Sequence, residues 1–355
     1  LCSYAPLEIL HAAGFTPVRL MQMGGDVTLA NAHLPSFSCA LARAVTEHML
    51  RGGLDFLHGA LFTHTCDTLQ CLADIWRMAA PHFRVLNYSL PTVLAVSPRG
   101  APGPNGDAAG ARDYLLGELH RLAETLALEF DAPVRGDALR ASIALYNEQR
   151  RLLAALHARL GRLTAREWWP LTLSATLVPV EEHVRVLRSR LSEPGTAPDV
   201  RGGPALLLMG ALLDDPLIPA VIDELGGRVV GDDLCTGSRY WDTLVDEEQE
   251  PFVALTERCL RRAPCPCKHT ATDTRGKRLL SLVHSTGAQG VVLVLPKFCD
   301  PHAFDAVPLA QALDAADVPH VTLETDVSAP AGQVRTRLQA FLETLSTWHN
   351  RVTAN

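Results

Sequence analysis

Three cysteines carry the clearest chemical signal in this chain of 355 residues. Cys39 closes the stretch Leu34-Pro-Ser-Phe-Ser-Cys39, and Cys66 closes Leu61-Phe-Thr-His-Thr-Cys66 just before Asp67. Cys299 follows the apolar run Val291-Val-Leu-Val-Leu-Pro-Lys-Phe and precedes Asp300-Pro-His302. Each stands at the end of a short apolar or small-residue run, where a strand gives way to a turn. Thiols at strand ends share a purpose only if they converge, and convergent thiolates make a soft-ligand site, an iron–sulfur cluster first of all. His64 and His302 flank two of these cysteines. They are weak catalytic candidates, as hydrogen-bond donors to cluster sulfur, proton carriers or simple capping side chains.

The chain is long enough for two α/β domains of roughly 150 to 200 residues each. An apolar fraction of 47% and a mean hydropathy of +0.09 fit a globular protein. No apolar run reaches the roughly 18 residues that a membrane span needs. Glu8 and His11 interrupt the first apolar residues, which also lack a basic start, so no signal peptide is expected. A cytoplasmic protein trimmed at its N-terminus, which carries no Met, is the expectation. A net charge of −7 argues against a nucleic-acid partner, since phosphate binding draws on clustered Lys and Arg. Neither a Gly-x-Ser-x-Gly elbow nor a Walker-A loop is present, so the chain is not expected to hydrolyse ATP itself.

Nine cysteines without a secretory start do not read as a disulfide framework, and the count is odd. Cys71 and Cys259 fall within helical patterns and read as packing thiols. Cys265 and Cys267, in Arg262-Ala-Pro-Cys-Pro-Cys-Lys268, lack the two-residue spacing of a zinc ribbon, and no second pair completes a zinc set. Cys2 and Cys235 stay open between ligation and burial.

Around these residues the pattern alternates between helix and strand. A helix is expected over Ala5–Ala13 with Pro6 in its first turn and Gly14 as its C-terminal cap, then a strand over Phe15–Leu20. A helix over Cys39–Leu50, a strand over Gly59–His64, a helix over Thr68–Met78 capped by Asp67, and a strand over Phe83–Tyr88 follow. Pro98–Gly110 reads as a loop. From Asp113 to Leu163, leucines at helix spacing predict a helical arm. Leu191–Pro204 reads as a linker, and strands are expected over Ala205–Met209, Arg228–Gly231, Gly290–Leu295 and His320–Leu323. The whole predicts an α/β protein of two doubly wound, Rossmann- or flavodoxin-like domains. Their extents are 1–110 for the N-terminal domain, 111–200 for the helical arm and linker, and 201–355 for the C-terminal domain. Asp232, Asp233, Arg239 and Tyr240 form a charged turn after a strand, either mutually paired or facing a substrate or subunit. Trp168 and Trp169 have no basic patch around them and read as core or interface.

Six segments together resemble the iron–sulfur subunits of the 2-hydroxyacyl-CoA dehydratase and benzoyl-CoA reductase family. They are Cys2-Ser-Tyr-Ala-Pro-Leu-Glu8, Leu34 to Cys39, His64-Thr-Cys66-Asp67, Asp232 to Tyr240, Cys265-Pro-Cys-Lys268 and Lys297-Phe-Cys-Asp-Pro-His302. The resemblance covers nearly the whole chain in order, and it implies a 4Fe-4S cluster on Cys39, Cys66 and Cys299. With three thiolates, one iron stays open to a water or a substrate oxygen. It further implies a homologous subunit in a heterodimer or homodimer, and an ATP-dependent iron–sulfur activator protein that injects one low-potential electron. The implied substrate is a CoA thioester that becomes a ketyl radical and expels its 2-hydroxyl; in the reductase branch the electrons stay in the product. A non-catalytic subunit that relays electrons is the other role implied. One branch of the family carries a double-cubane cluster of eight irons, for which Cys2, Cys235, Cys265 and Cys267 are the candidate extra ligands.

Overall fold

The computed structural model describes residues 1–21, 25–91, 108–192, 202–268, 272–326 and 331–352. It is an α/β protein whose strands pair in parallel. The chain groups into two compact units. Leu1–Arg151, Ala175–Arg185 and Trp241–Thr270 form the first, and Leu152–Ser174, Val186–Tyr240 and Ala271–Asn355 the second.

In the first unit, helix α1 (Leu7–Ala12) begins after Pro6 at its N-cap and ends at Gly14, whose φ of 88° lets the chain turn. The amide of Gly14 donates to His11 O at 2.9 Å and that of Phe15 to Leu10 O at 3.1 Å, the closure a left-handed glycine permits. The strand expected over Phe15–Leu20 is not there. Pro17 removes one ladder donor, and the Arg19 amide goes instead to Thr176 O at 2.8 Å. Helix α2 (Ala40–Leu50), strand β1 (Ala60–His64), helix α3 (Asp67–Ala79) and strand β2 (Val85–Ser89) follow as expected, within two residues at their ends. Asp67 is the first helical residue of α3 rather than its cap, a position where its charge meets the positive end of the helix.

Most of the loop expected at Pro98–Gly110 lies outside the described residues, and helix α4 (Ala108–Phe130) already includes residues 108–110. With α5 (Gly136–His157) it supplies the leucine-patterned helices. Leu115, Leu119, Leu122 and Leu126 all face one buried core with Leu139 and Ile143. Two short helices, α6 (Ala165–Leu173) and α7 (Val180–Ser192), come next, and most of the expected linker lies outside the described residues.

The second unit holds β3 (Ala205–Gly210), α8 (Leu217–Glu224) and β4 (Arg228–Asp233). Helix α9 (Pro251–Arg261) returns to the first unit, after which α10 (Thr272–Thr286), β5 (Gly290–Pro296), α11 (Asp300–Ala315), β6 (His320–Thr325) and α12 (Ala331–Val352) complete the second. Its four strands run parallel in the order β4-β3-β5-β6. Continuous apolar runs such as Ala205–Met209 suit a sheet covered on both faces. Leu206, Leu208, Val292 and Val294 point to one core with α8 and α12, while Leu207, Met209, Val291 and Leu293 point to another with α10 and α11. Trp168 and Trp169 lie in the first of these cores, edge to face at 5.1 Å, and are core residues as expected.

One buried carboxylate ties the segment of Thr28 and Ala30 to α2. Glu47 of α2 accepts from the amides of Thr28 and Ala30, both at 2.9 Å, and from Arg51 Nε at 2.7 Å. Burial opposes its charge, but these donors hold the carboxyl down at about 2, against an ordinary 4.5. Its contribution is therefore full above pH 4.5 and fades as pH falls toward about 2. Glu47→Gln is expected to lose about 1–3 kcal/mol at neutral pH. Denaturant melts should show that deficit shrinking as the buffer is taken below pH 4.5.

Candidate functional site

Cys39, Cys66 and Cys299 stand at the same local position, the N-cap of a helix. Cys39 precedes α2 with φ −60° and ψ 151°, after a turn closed by the Ser38 amide on Pro35 O at 2.9 Å. Cys66 precedes α3 with φ −134° and ψ 164°, directly after β1. Cys299 precedes α11, with Pro301 in the first turn and Phe298 before it at a φ of 61°. The first amides of a helix and its dipole favour an anion at this place, so a cysteine there leans toward thiolate. Cys39 and Cys66 belong to the first unit and border the same core, together with Cys2. Cys299 and Cys235 belong to the second unit.

The first unit gathers further thiols at Cys66. Beyond α9 the chain makes a tight turn, with the Lys268 amide on Cys265 O at 3.0 Å, and this turn brings Cys265 and Cys267 to Cys66. A hydrogen bond from Cys267 holds the Cys66 thiol below its usual range against the cost of burial, and the Leu69 amide adds to it. Cys267 is held protonated in turn by its bonds with Cys265 and Cys66. Lys268 is buried; desolvation pulls its ammonium down, while Cys267, Cys265, Cys66 and Cys2 support it. Arg262 lies 4.4 Å over the Tyr4 ring and donates to Ser3 O at 2.5 Å, which ties the segment of Cys2 to the end of α9.

His64 and Ser89 are opposite each other in the register of β1 and β2, and Nδ1 of His64 lies 3.1 Å from Ser89 Oγ. The Ser89 amide donates to Glu118 at 3.0 Å, and Arg121 and that amide hold the Glu118 carboxyl below its ordinary range. Nε2 of His64 is buried without a hydrogen-bond partner among the described residues.

In the second unit, His302 Nδ1 lies 3.4 Å from Cys299 Sγ. Burial, then Arg239 and Arg275, push His302 well below the usual imidazole range, so the ring is neutral at pH 7. The charged turn is paired internally, as one of its two expected readings has it. Asp233, fully buried, lies 3.5 Å from Arg239, 3.2 Å from Arg278 and 3.8 Å from Arg275, which also holds Asp305 at 2.6 Å. Burial works against the charge of Asp232, but His157 at 2.8 Å and the amides of Ser238 and Leu234 keep it ionised. Gly237 closes this turn, because a Cβ there would meet Asp232 Oδ1 at 2.1 Å. His157, Arg275 and Arg278 were not legible as site residues, since they come from helices distant in sequence and sit in no motif.

Among the described residues, no group of three or more His, Cys, Asp or Glu is arranged to hold a metal ion. The donor chemistry nonetheless suits a soft metal: sulfur at three helix N-termini, with a buried cation beside one of them. Cys235 is half-buried, its amide on Ala211 O at 2.9 Å.

The chain is a parallel α/β protein with thiols at helix starts, and comparison with known sequences narrows its class. Residues 2–345 match the family model of the 2-hydroxyglutaryl-CoA dehydratase D-component, and the chain belongs to that family. It is 25% identical over 350 residues to the (R)-phenyllactyl-CoA dehydratase beta subunit of Clostridium sporogenes, covering 96% of this chain and 90% of the relative. It is 26% identical over 355 residues to the beta subunit of the lactoyl-CoA dehydratase of Anaerotignum propionicum, covering 96% and 90%. It is 28% identical over 362 residues to a subunit of the benzoyl-CoA reductase of Thauera aromatica, covering 97% and 89%. The resemblance noted in the sequence is thus a family relationship. No helix among the described residues is long and apolar enough to cross a membrane.

The two thiols expected to serve packing part company. Cys259 is buried, and burial pushes it up to about 11, whereas Cys71 is exposed on α3 rather than packed. An aromatic disulfide reagent should label Cys71 at least about tenfold faster than Cys259; equal rates, followed by mass spectrometry of the modified peptides, would refute this assignment.

Proposed function

We propose that this chain is the iron–sulfur subunit of an ATP-activator-dependent 2-hydroxyacyl-CoA dehydratase. In this reading Cys39, Cys66 and Cys299 hold a 4Fe-4S cluster with one iron left open. The observation that carries the reading is the common N-cap position of the three thiols, in a chain that matches the dehydratase family over nearly its whole length. When bound, the cluster supplies one-electron chemistry to the thioester carbonyl of the substrate, whose 2-hydroxyl leaves from the ketyl radical. The chain's own residues do the rest. Helix N-termini offset the thiolate charge, and the neutral ring of His302 stands at hydrogen-bond range of Cys299 sulfur, where it tunes the sulfur's electron density. The partners in this reading are a homologous subunit and an iron–sulfur activator protein, and the compartment is the cytoplasm.

A second reading makes the chain an electron-relay subunit beside a catalytic homologue. It is favoured by the names of the relatives, each of which is one subunit of an enzyme. A double-cubane cluster is a third arrangement, favoured by the gathering of Cys265 and Cys267 at Cys66.

Anaerobic purification with iron and sulfide counts separates these arrangements, about four irons per chain for one cubane and about eight for the double form. Replacing Cys39, Cys66 or Cys299 by Ala is expected to lower the iron count and abolish activator-dependent turnover of 2-hydroxyacyl-CoA or aryl-CoA thioesters, with circular dichroism unchanged. Wild-type turnover in the Cys39→Ala or Cys299→Ala variant would sink the cluster reading. An inactive wild-type chain with a full cluster would favour the relay role.

A further inference from the structure

The four-stranded sheet of the second unit has two edges of different kinds. At the β4 edge the turn Leu160–Arg162 lies against the strand, so that a Cβ built on Gly161 would stand 3.6 Å from Val230. The other edge is β6. Backbone groups alternate in direction along a strand, and on the β5 side the amides of Val291 and Lys297 reach Pro319 O at 3.0 Å and Thr325 O at 2.8 Å. The odd-numbered residues of β6 therefore bond to β5, and the amides and carbonyls of His320, Thr322 and Glu324 point outward. None of these six groups has a hydrogen-bond partner among the described residues. Nothing in the strand His320-Val-Thr-Leu-Glu-Thr325 blunts the edge, since it holds no Pro, no Lys and no bulge. An open cleft of about 630 Å³, lined among others by Asp314, Val321, Arg337 and Phe341, adjoins its first residues and leaves room beside them.

We propose that a second copy of this chain docks on the β6 edge, strand against strand in antiparallel register about a two-fold axis, joining two four-stranded sheets into one. With Thr322 opposite the partner's Thr322, His320 falls opposite the partner's Glu324, and Glu324 opposite the partner's His320. The outward residues then form the hydrogen-bonded pairs, and the six free backbone groups of each copy all find partners. Side chains of His320, Thr322 and Glu324 share one face of the sheet, and Val321 and Leu323 share the other. The register thus sets an imidazole beside a carboxylate at both ends, Thr against Thr at the centre and Val321 against the partner's Leu323 behind, all pairings that favour strand association. The charge match selects a second copy as the occupant, because one strand supplies both halves of each pair, as an isologous interface requires. His320 is set for the contact. Its Nδ1 lies 3.3 Å from Val318 O and 3.8 Å from Asp314, which leaves Nε2 to meet the partner's Glu324. A slip of one residue would turn the outward groups against groups already bonded to β5, and a slip of two would leave His320 or Glu324 without its opposite.

The interface does not rest on the proposed function, and a chain without a cluster gives the same result. Sedimentation velocity on the full chain over a dilution series is the test. The expected result is a dimer of the 38.4 kDa chain that dissociates on dilution. Thr322→Pro removes an outward amide and leaves the β5 ladder untouched, so it should weaken the dimer at least about tenfold. Glu324→Lys sets a second cation opposite His320, and His320→Glu sets two carboxylates opposite each other; each should weaken the dimer about fivefold. The double variant His320→Glu, Glu324→Lys pairs opposite charges again and should restore wild-type association, a result that only this register produces. A wild-type chain that stays monomeric at every concentration, or that dimerises only on addition of a different subunit of the family, overturns the proposal. So does a dimer that ignores these substitutions, or single variants that weaken it without rescue by the double one. The charge swap keeps the register open to refutation even if Thr322→Pro fails to fold.

Discussion

Placing anionic sulfur in a half-buried setting costs free energy unless something nearby offsets the charge, and most of the local architecture around the thiols serves that need. The helix N-terminus is the device used for Cys39, Cys66 and Cys299. It places the sulfur at the partially positive end of a helix without requiring a buried cation of its own. Where sulfur is densest, at Cys66, Cys265 and Cys267, a buried ammonium on Lys268 is added. The parallel sheets make this arrangement repeatable. A strand that ends in a tight turn and feeds a helix places the junction residue at that helix's positive end, as β1 and α3 do for Cys66 and β5 and α11 do for Cys299.

The buried charges of the two units answer the same constraint in different ways. In the first, Glu8 and Arg150 pair with almost no exposure, and Arg258 nearby is pulled down to about 9 by burial and by its neighbouring guanidinium groups. In the second, one carboxylate, Asp233, meets three guanidinium groups at the C-terminal end of β4. A fully buried carboxylate with several cationic partners is expensive to assemble and more expensive to break. Such networks therefore fix the turns that carry function-bearing residues. The network at Asp233 borders His302, and through it the sulfur of Cys299; its positive potential is one reason that imidazole stays neutral.

The family relationship and the thiol positions are independent observations that support the proposed reading. One rests on similarity along residues 2–345, the other on the local geometry of three N-caps.

The sequence by itself determined the α/β class, the approximate positions of strands β1 to β6, the leucine-lined helices, and the three cysteines at the starts of helices. These are local properties: an apolar run of five or six residues, a leucine every three or four positions, and a glycine such as Gly14 at φ 88° are written in consecutive residues. The sequence misjudged Phe15–Leu20, where β-prone residues surround Pro17 and no strand among the described residues takes up their backbone groups, and it misjudged Cys71, since a helical pattern does not say which face meets solvent. Tertiary structure alone decided that Cys265 and Cys267 meet Cys66, that His64 meets Ser89, and that Arg275 and Arg278 close on Asp233. Such contacts join residues far apart in the chain, and only chain folding sets which distant side chains share a dielectric, a proton or a charge.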